Sequence, residues 1–146
     1  MKKIFVGLLC GLLMMGCSTE KTVKTTVCSM EQNGLSVEST FEHDGVKITK
    51  QTGKNHLVYA EAGVTKEMLE ANVAVTSELF QGLKGVTYEY TLGDDEFNET
   101  TVIDYTVADL KELQDANIIV LSDAKVDYIG IKETLEMNKE MDCVEK

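Results

Sequence analysis

Thiols, imidazoles and clustered carboxylates are the side chains here with reactive chemistry. Cysteines stand at 10, 17, 28 and 143, histidines at 43 and 56, and the densest acidic run is Asp94-Asp95-Glu96 followed by Glu99. His43, His56 and a nearby carboxylate would make the two-histidine, one-acid set that holds a divalent metal. Turns and strand ends are ordinary places for solvated histidine, however, and no fixed spacing ties the two together. Gly93 to Glu99 offers oxygen ligands of the kind calcium takes, but lacks the glycine and the bidentate glutamate of an EF-hand loop. A solvated hairpin tip accounts for it. There is no GxSxG or SxxK nucleophile motif, and no glycine-rich cradle opens a helix to receive phosphate. The sequence therefore assigns no catalytic residues, no metal and no cofactor. Tyr88 and Tyr90 remain as candidate ligand-binding residues. Two apart on a strand, they share a face; exposed, they would bind a sugar or peptide, and beneath a helix they would be core.

Cys17 carries a different chemistry. Met1-Lys2-Lys3 is a short positive start, and Ile4 to Met15 is apolar or small throughout. That run has the length of a signal-peptide core and falls short of the roughly 20 residues a membrane span needs. Leu13-Met14-Met15-Gly16-Cys17 resembles the lipobox of bacterial lipoproteins, in which the cysteine thiol takes a diacylglycerol and the bond before it is cut. Residues 1–16 are thus expected to be a lipoprotein signal peptide and Cys17 the lipidation site, with Cys10 discarded. Residues 17–26, polar and rich in Lys and Thr, read as a tether, and two acyl chains suffice for stable anchoring. The expected location is the extracytoplasmic face of a cell membrane.

Residues 27–146 remain as one domain, holding Cys28 and Cys143. Disulfides persist outside the cytoplasm, so pairing of these two is the natural expectation. A reactive or metal-binding pair is the alternative, weakened by the lack of a CxxC partner or adjacent histidine.

The elements that position these residues follow from periodicity. Val27–Glu31 and Leu35–Glu42 flank Asn33-Gly34, a hairpin signal. Val46–Gln51 and His56–Glu61 read as further strands, with Gly53-Lys54-Asn55 as the turn between them. Thr65 is a helix N-cap with Val64 and Leu69 as a hydrophobic staple, and Leu69, Val73, Thr76, Phe80 and Leu83 form one face. Gly82 and Gly85 end that helix. Val86–Leu92 and Thr100–Tyr105 read as a hairpin around the acidic run, Thr106–Asp109 as a capping box opening a short helix, Ile118–Leu121 as a brief extended piece, and Gly130–Glu140 as a last helix. The predicted class is α+β: an antiparallel meander packed on one face by two or three helices.

Composition excludes one large class of function. All 14 basic residues are lysine, against 25 acids, giving a net charge of −11. Such a surface repels phosphate backbones and has no arginine to read bases, so nucleic acid is not a partner. Excess negative charge also favours a soluble monomer.

The order of these pieces, with Gly85-Val86-Thr87-Tyr88-Glu89-Tyr90 and Val102-Ile103-Asp104-Tyr105, resembles the YehR-like family of uncharacterised bacterial lipoproteins across most of Cys28 to Cys143. The resemblance implies a small α+β lipoprotein domain without an established role, and it carries over no catalytic residues. The expected function is a non-enzymatic, membrane-anchored binding domain for an unknown envelope ligand or protein. The alternative is a structural or stress-related envelope component with no dedicated ligand.

Overall fold

The computed structural model describes residues 22–121 and 127–146. The expected signal peptide, Cys17 and the residues up to 21 lie outside that range. Strands β1 (Lys24–Gln32) and β2 (Leu35–His43) form the first hairpin. Its two turn residues, Asn33 and Gly34, have φ of 50° and 74°, as a type I′ turn demands. A Cβ on Gly34 would also lie 2.5 Å from that of Glu61. β1 begins within the segment read as a tether: Lys24 to Thr26 pair with β2, and Thr26 is buried.

The largest departure from the sequence reading is β3 (Ile48–Val58), one strand of 11 residues rather than two. Gly53 does not turn the chain. It pairs with Ser39 on one side and Thr101 on the other, and ladders on both edges of a central strand outweigh the turn preference of Gly-Lys-Asn. The residues expected to continue a fourth strand instead form a helical turn, α1 (Tyr59–Ala62). Helix α2 (Lys66–Phe80) starts as expected, with Thr65 Oγ1 accepting from Met68 N. Its hairpin neighbours follow: β4 (Val86–Leu92) and β5 (Glu96–Asp104). β5 starts four residues before the predicted Thr100, leaving only Gly93-Asp94-Asp95 as the tip. Phe97, read as part of a solvated loop, is buried, because the alternation of β5 continues back through it.

α3 (Leu110–Asp115) is capped by Asp109, whose carboxylate accepts from Lys111 N and Glu112 N at 2.8 and 3.2 Å. The expected cap, Thr106, instead donates to Asp104 in a turn. Ile118–Leu121 belongs to no strand. α4 (Ile131–Met137) turns Ile131 and Leu135 inward, and β6 (Asp142–Glu145) returns antiparallel to β1.

The sheet order is β4-β5-β3-β2-β1-β6, antiparallel throughout, and the class is α+β as predicted. Alternation gives the sheet two faces. The open face carries Lys50, Lys54, His56, Glu38, Glu42 and Glu89, with Lys50–Glu42 and Lys54–Glu38 facing across strands. The covered face has an apolar cluster at each end. Cys28, Phe41 and Ile48 pack with Ile131 of α4 at one; Phe97 and Tyr59 pack with Val73 of α2 at the other. Burying each large apolar side chain contributes about 1.5–3 kcal/mol, so the two clusters hold the helices down from both ends.

Candidate functional site

Between the two apolar clusters the middle of the covered face is polar at Thr101, Gly53 and Ser39 and at Glu99 and Asn55, and turns apolar toward β1 at Cys28, Val37 and Met30. One row across the sheet runs Tyr88, Thr101, Gly53, Ser39, Cys28, and the next runs Tyr90, Glu99, Asn55, Val37, Met30. Four interstrand spacings make this band roughly 19 Å long.

Glu99 is its centre of charge. Tyr90 lies directly across from it on β4 and Asn55 directly across on β3. The Asn55 amide donates to Glu99 Oε1 at 2.6 Å and the Tyr88 hydroxyl donates to Oε2 at 2.7 Å. Partial burial, and then the bond to Glu99, push the Tyr88 hydroxyl above the ordinary tyrosine range, so it stays a donor. Both carboxylate oxygens are thus oriented by neutral groups. Among the described residues the ion pairs engage Glu38, Glu42, Asp94, Glu96, Asp115, Glu136 and Glu145; Glu99 has no cation against it.

Gly53 floors the band. Its φ is not positive, it sits in an unbroken ladder, and a Cβ built on it would meet nothing within 4 Å. Neither backbone conformation nor packing requires glycine there. Glycine inside a strand weakens it and often marks where a ligand or another backbone comes close.

The two predicted tyrosines share a face, with ring centroids 5.8 Å apart. Their fates differ: Tyr88 stacks on Phe80 of α2 at 5.0 Å, while Tyr90 is 44% exposed. Among the described residues, four clefts at the surface are lined by residues other than these two, and the tyrosines border the polar band. The sequence places Glu99 in an acidic stretch weighed only for calcium and Gly53 and Asn55 in a turn, so none of the three is read there as part of a strand face with Tyr88 and Tyr90. The signal was the alternation running through them, Gly53-Asn55-Leu57 and Phe97-Glu99-Thr101.

The histidines do not converge. His43 is buried beside the first cluster, with Nδ1 accepting from Gly45 N at 3.1 Å and Nε2 bonded to Thr26 Oγ1 at 3.0 Å. His56 is on the open face, 3.0 Å from Glu96. No group of three metal-ligating side chains forms among the described residues. At the acidic tip, Lys66 pairs with Asp94 at 3.2 Å. Cys28 and Cys143, direct partners in the β1–β6 register, are joined by a disulfide. No helix of the described residues is long and apolar enough to cross a membrane.

Comparison with known proteins agrees with this architecture. The chain is 31% identical over 128 residues to the uncharacterized lipoprotein Lin0239 of Listeria innocua, covering 87% of this chain and 82% of that one. It is 37% identical over 95 residues to the uncharacterized lipoprotein Lmo0207 of Listeria monocytogenes, covering 64% and 61%. Its fold is shared with the solution structure of Escherichia coli YehR, with a TM-score of 0.66 at 24% identity over 84% of this chain and 91% of that one. A Streptococcus pneumoniae protein structure matches at a TM-score of 0.53 and 18% identity, over 100% and 98%. The family model described as protein of unknown function (DUF1307) matches residues 24–142; the chain belongs to that family.

Proposed function

We propose that this chain is a non-enzymatic binding domain, lipid-anchored through Cys17 at the extracytoplasmic face of a membrane, with the polar band across the covered face as its ligand site. The observation that carries the binding reading is Gly53, a glycine in the central strand whose missing side chain leaves open space above oriented polar groups. Nothing in the band is a nucleophile with a base beside it, and both cysteines of the domain are in the disulfide, which supports binding rather than turnover. The lipobox-like Leu13 to Cys17 and the lipoprotein relatives support the anchor.

Two measurements test this. The intact mass of protein extracted from membranes should lack residues 1–16 and carry a diacylglycerol-sized increment; retention of those residues would defeat the anchor. Amide spectra of the protein should change on adding low-molecular-mass envelope extract, with the changes centred on Gly53, Asn55 and Thr101. Changes confined to other surfaces, or none, would favour the envelope component without a dedicated ligand. That second reading draws on Tyr88 and Tyr90 lining none of those four clefts among the described residues.

A further inference from the structure

We infer that the band is built for a ligand bearing a primary ammonium group, which seats against Glu99 with its hydrocarbon body lying over Gly53; this rests on the band being a ligand site. Three features of the covered face converge on that class. The Glu99 carboxylate is held by an Asn amide and a Tyr hydroxyl, so its direction is fixed while its charge is left for a cation to balance. Tyr90, paired directly with Glu99 and half exposed, offers a ring face of the kind that attracts ammonium groups within about 6 Å.

The remaining groups each carry an oxygen that can accept as well. Asn55 gives one of its two amide N–H groups to Glu99 and presents a carbonyl oxygen that can accept, and Ser39 and Thr101 bring hydroxyls, able to accept as well as donate, to the adjacent row. A primary ammonium has three donors and no acceptor, matching this set. An anionic ligand would meet an uncompensated carboxylate on a chain of net charge −11. A neutral one would leave that charge unbalanced.

Gly53 supplies the room. Its neighbours in the row are small or polar, and nothing lies within 4 Å of the position a side chain would take. An extended aliphatic amine therefore lies flat on backbone at the centre of the sheet, between the two apolar clusters.

The test uses the full chain with its disulfide intact and a matched pair of probes, diaminopentane and pentanediol, which share a carbon skeleton and differ in the end groups. Diaminopentane should perturb the amides of Gly53, Asn55, Glu99 and Thr101 saturably, and pentanediol should not. Glu99→Gln should weaken diaminopentane by about tenfold or more. Glu89→Gln, which removes the same charge from the opposite face of the sheet, should leave it unchanged. Gly53→Val should abolish binding while the amide spectrum stays that of a folded sheet. Equal binding of both probes, blocked by Gly53→Val and indifferent to Glu99→Gln, would overturn the ammonium assignment while keeping the band as a site. Diaminopentane binding weakened equally by Glu89→Gln and Glu99→Gln would reduce it to diffuse attraction to an acidic surface and overturn the inference. Binding of neither probe would overturn it too.

Discussion

Gly53 and Tyr88 show how single residues report on the purpose of a surface. Glycine in a strand interior costs roughly 0.5–1 kcal/mol relative to alanine, and at position 53 no steric or dihedral requirement offsets that cost. Gly53→Ala should therefore stabilise the protein by about that amount, read as a higher urea midpoint with an unchanged slope; a loss of stability would mean the glycine serves the fold. Tyr88 and Tyr105 are both pushed upward, Tyr88 by burial and its bond to Glu99, Tyr105 by burial. A folded-state pKa above the unfolded value adds stability that is complete below about pH 10 and is lost as pH rises beyond it. Phenolate absorbance should accordingly show Tyr88 and Tyr105 ionising late, above the ordinary tyrosine range. Tyr88→Phe and Tyr105→Phe should each remove one late-titrating group, and a substitution that leaves the late part of the titration of the folded protein unchanged would refute the assignment. At this scale the tyrosines were legible in the sequence because spacing of two is unambiguous. Glu99 and Asn55 were not, because a polar residue facing a polar band leaves the same trace as one in a loop.

Among the elements, legibility tracked the strength of local signals against the pull of neighbouring strands. The Asn33-Gly34 hairpin was readable because positive φ at both turn residues favours those types, and the Thr65 cap because a helix start needs a side-chain acceptor, which its hydroxyl supplies to Met68 N. Gly53-Lys54-Asn55 misled for the opposite reason: its turn preference is real, but partners on both edges of β3 override it. The shortest strand depends most on its partner. β6 has four residues, all exposed, and is held to β1 by a few ladder bonds and the Cys28–Cys143 link. With a sequence separation of 115, removing that link should cost about 4–5 kcal/mol in the chain-entropy model. The paired variant Cys28→Ala with Cys143→Ala should show this as a lower urea midpoint, together with faster hydrogen exchange at Val144 and Glu145. An unchanged midpoint would show that the link contributes nothing to the fold's stability.

For the molecule as a whole, charge and covalent connectivity set the behaviour. A net charge of −11 makes the folded state repel itself, and salt shortens the Debye length from about 30 Å at 0.01 M to about 8 Å at 0.15 M. The thermal midpoint should rise over that interval, and Glu89→Gln should reduce the rise slightly; a falling midpoint would mean that the cross-strand ion pairs of the open face outweigh the repulsion. Cys28 lies in β1 and Cys143 in β6, so the sulfur bridge turns almost the whole folded chain into a covalent ring. A protease that nicks any loop in this ring opens it without detaching a fragment. The two pieces remain one molecule, still zipped through the sheet, and separate only after both reduction and unfolding. At the extracytoplasmic location proposed for the domain, a bite from a protease would shorten no part of it and release nothing into the medium.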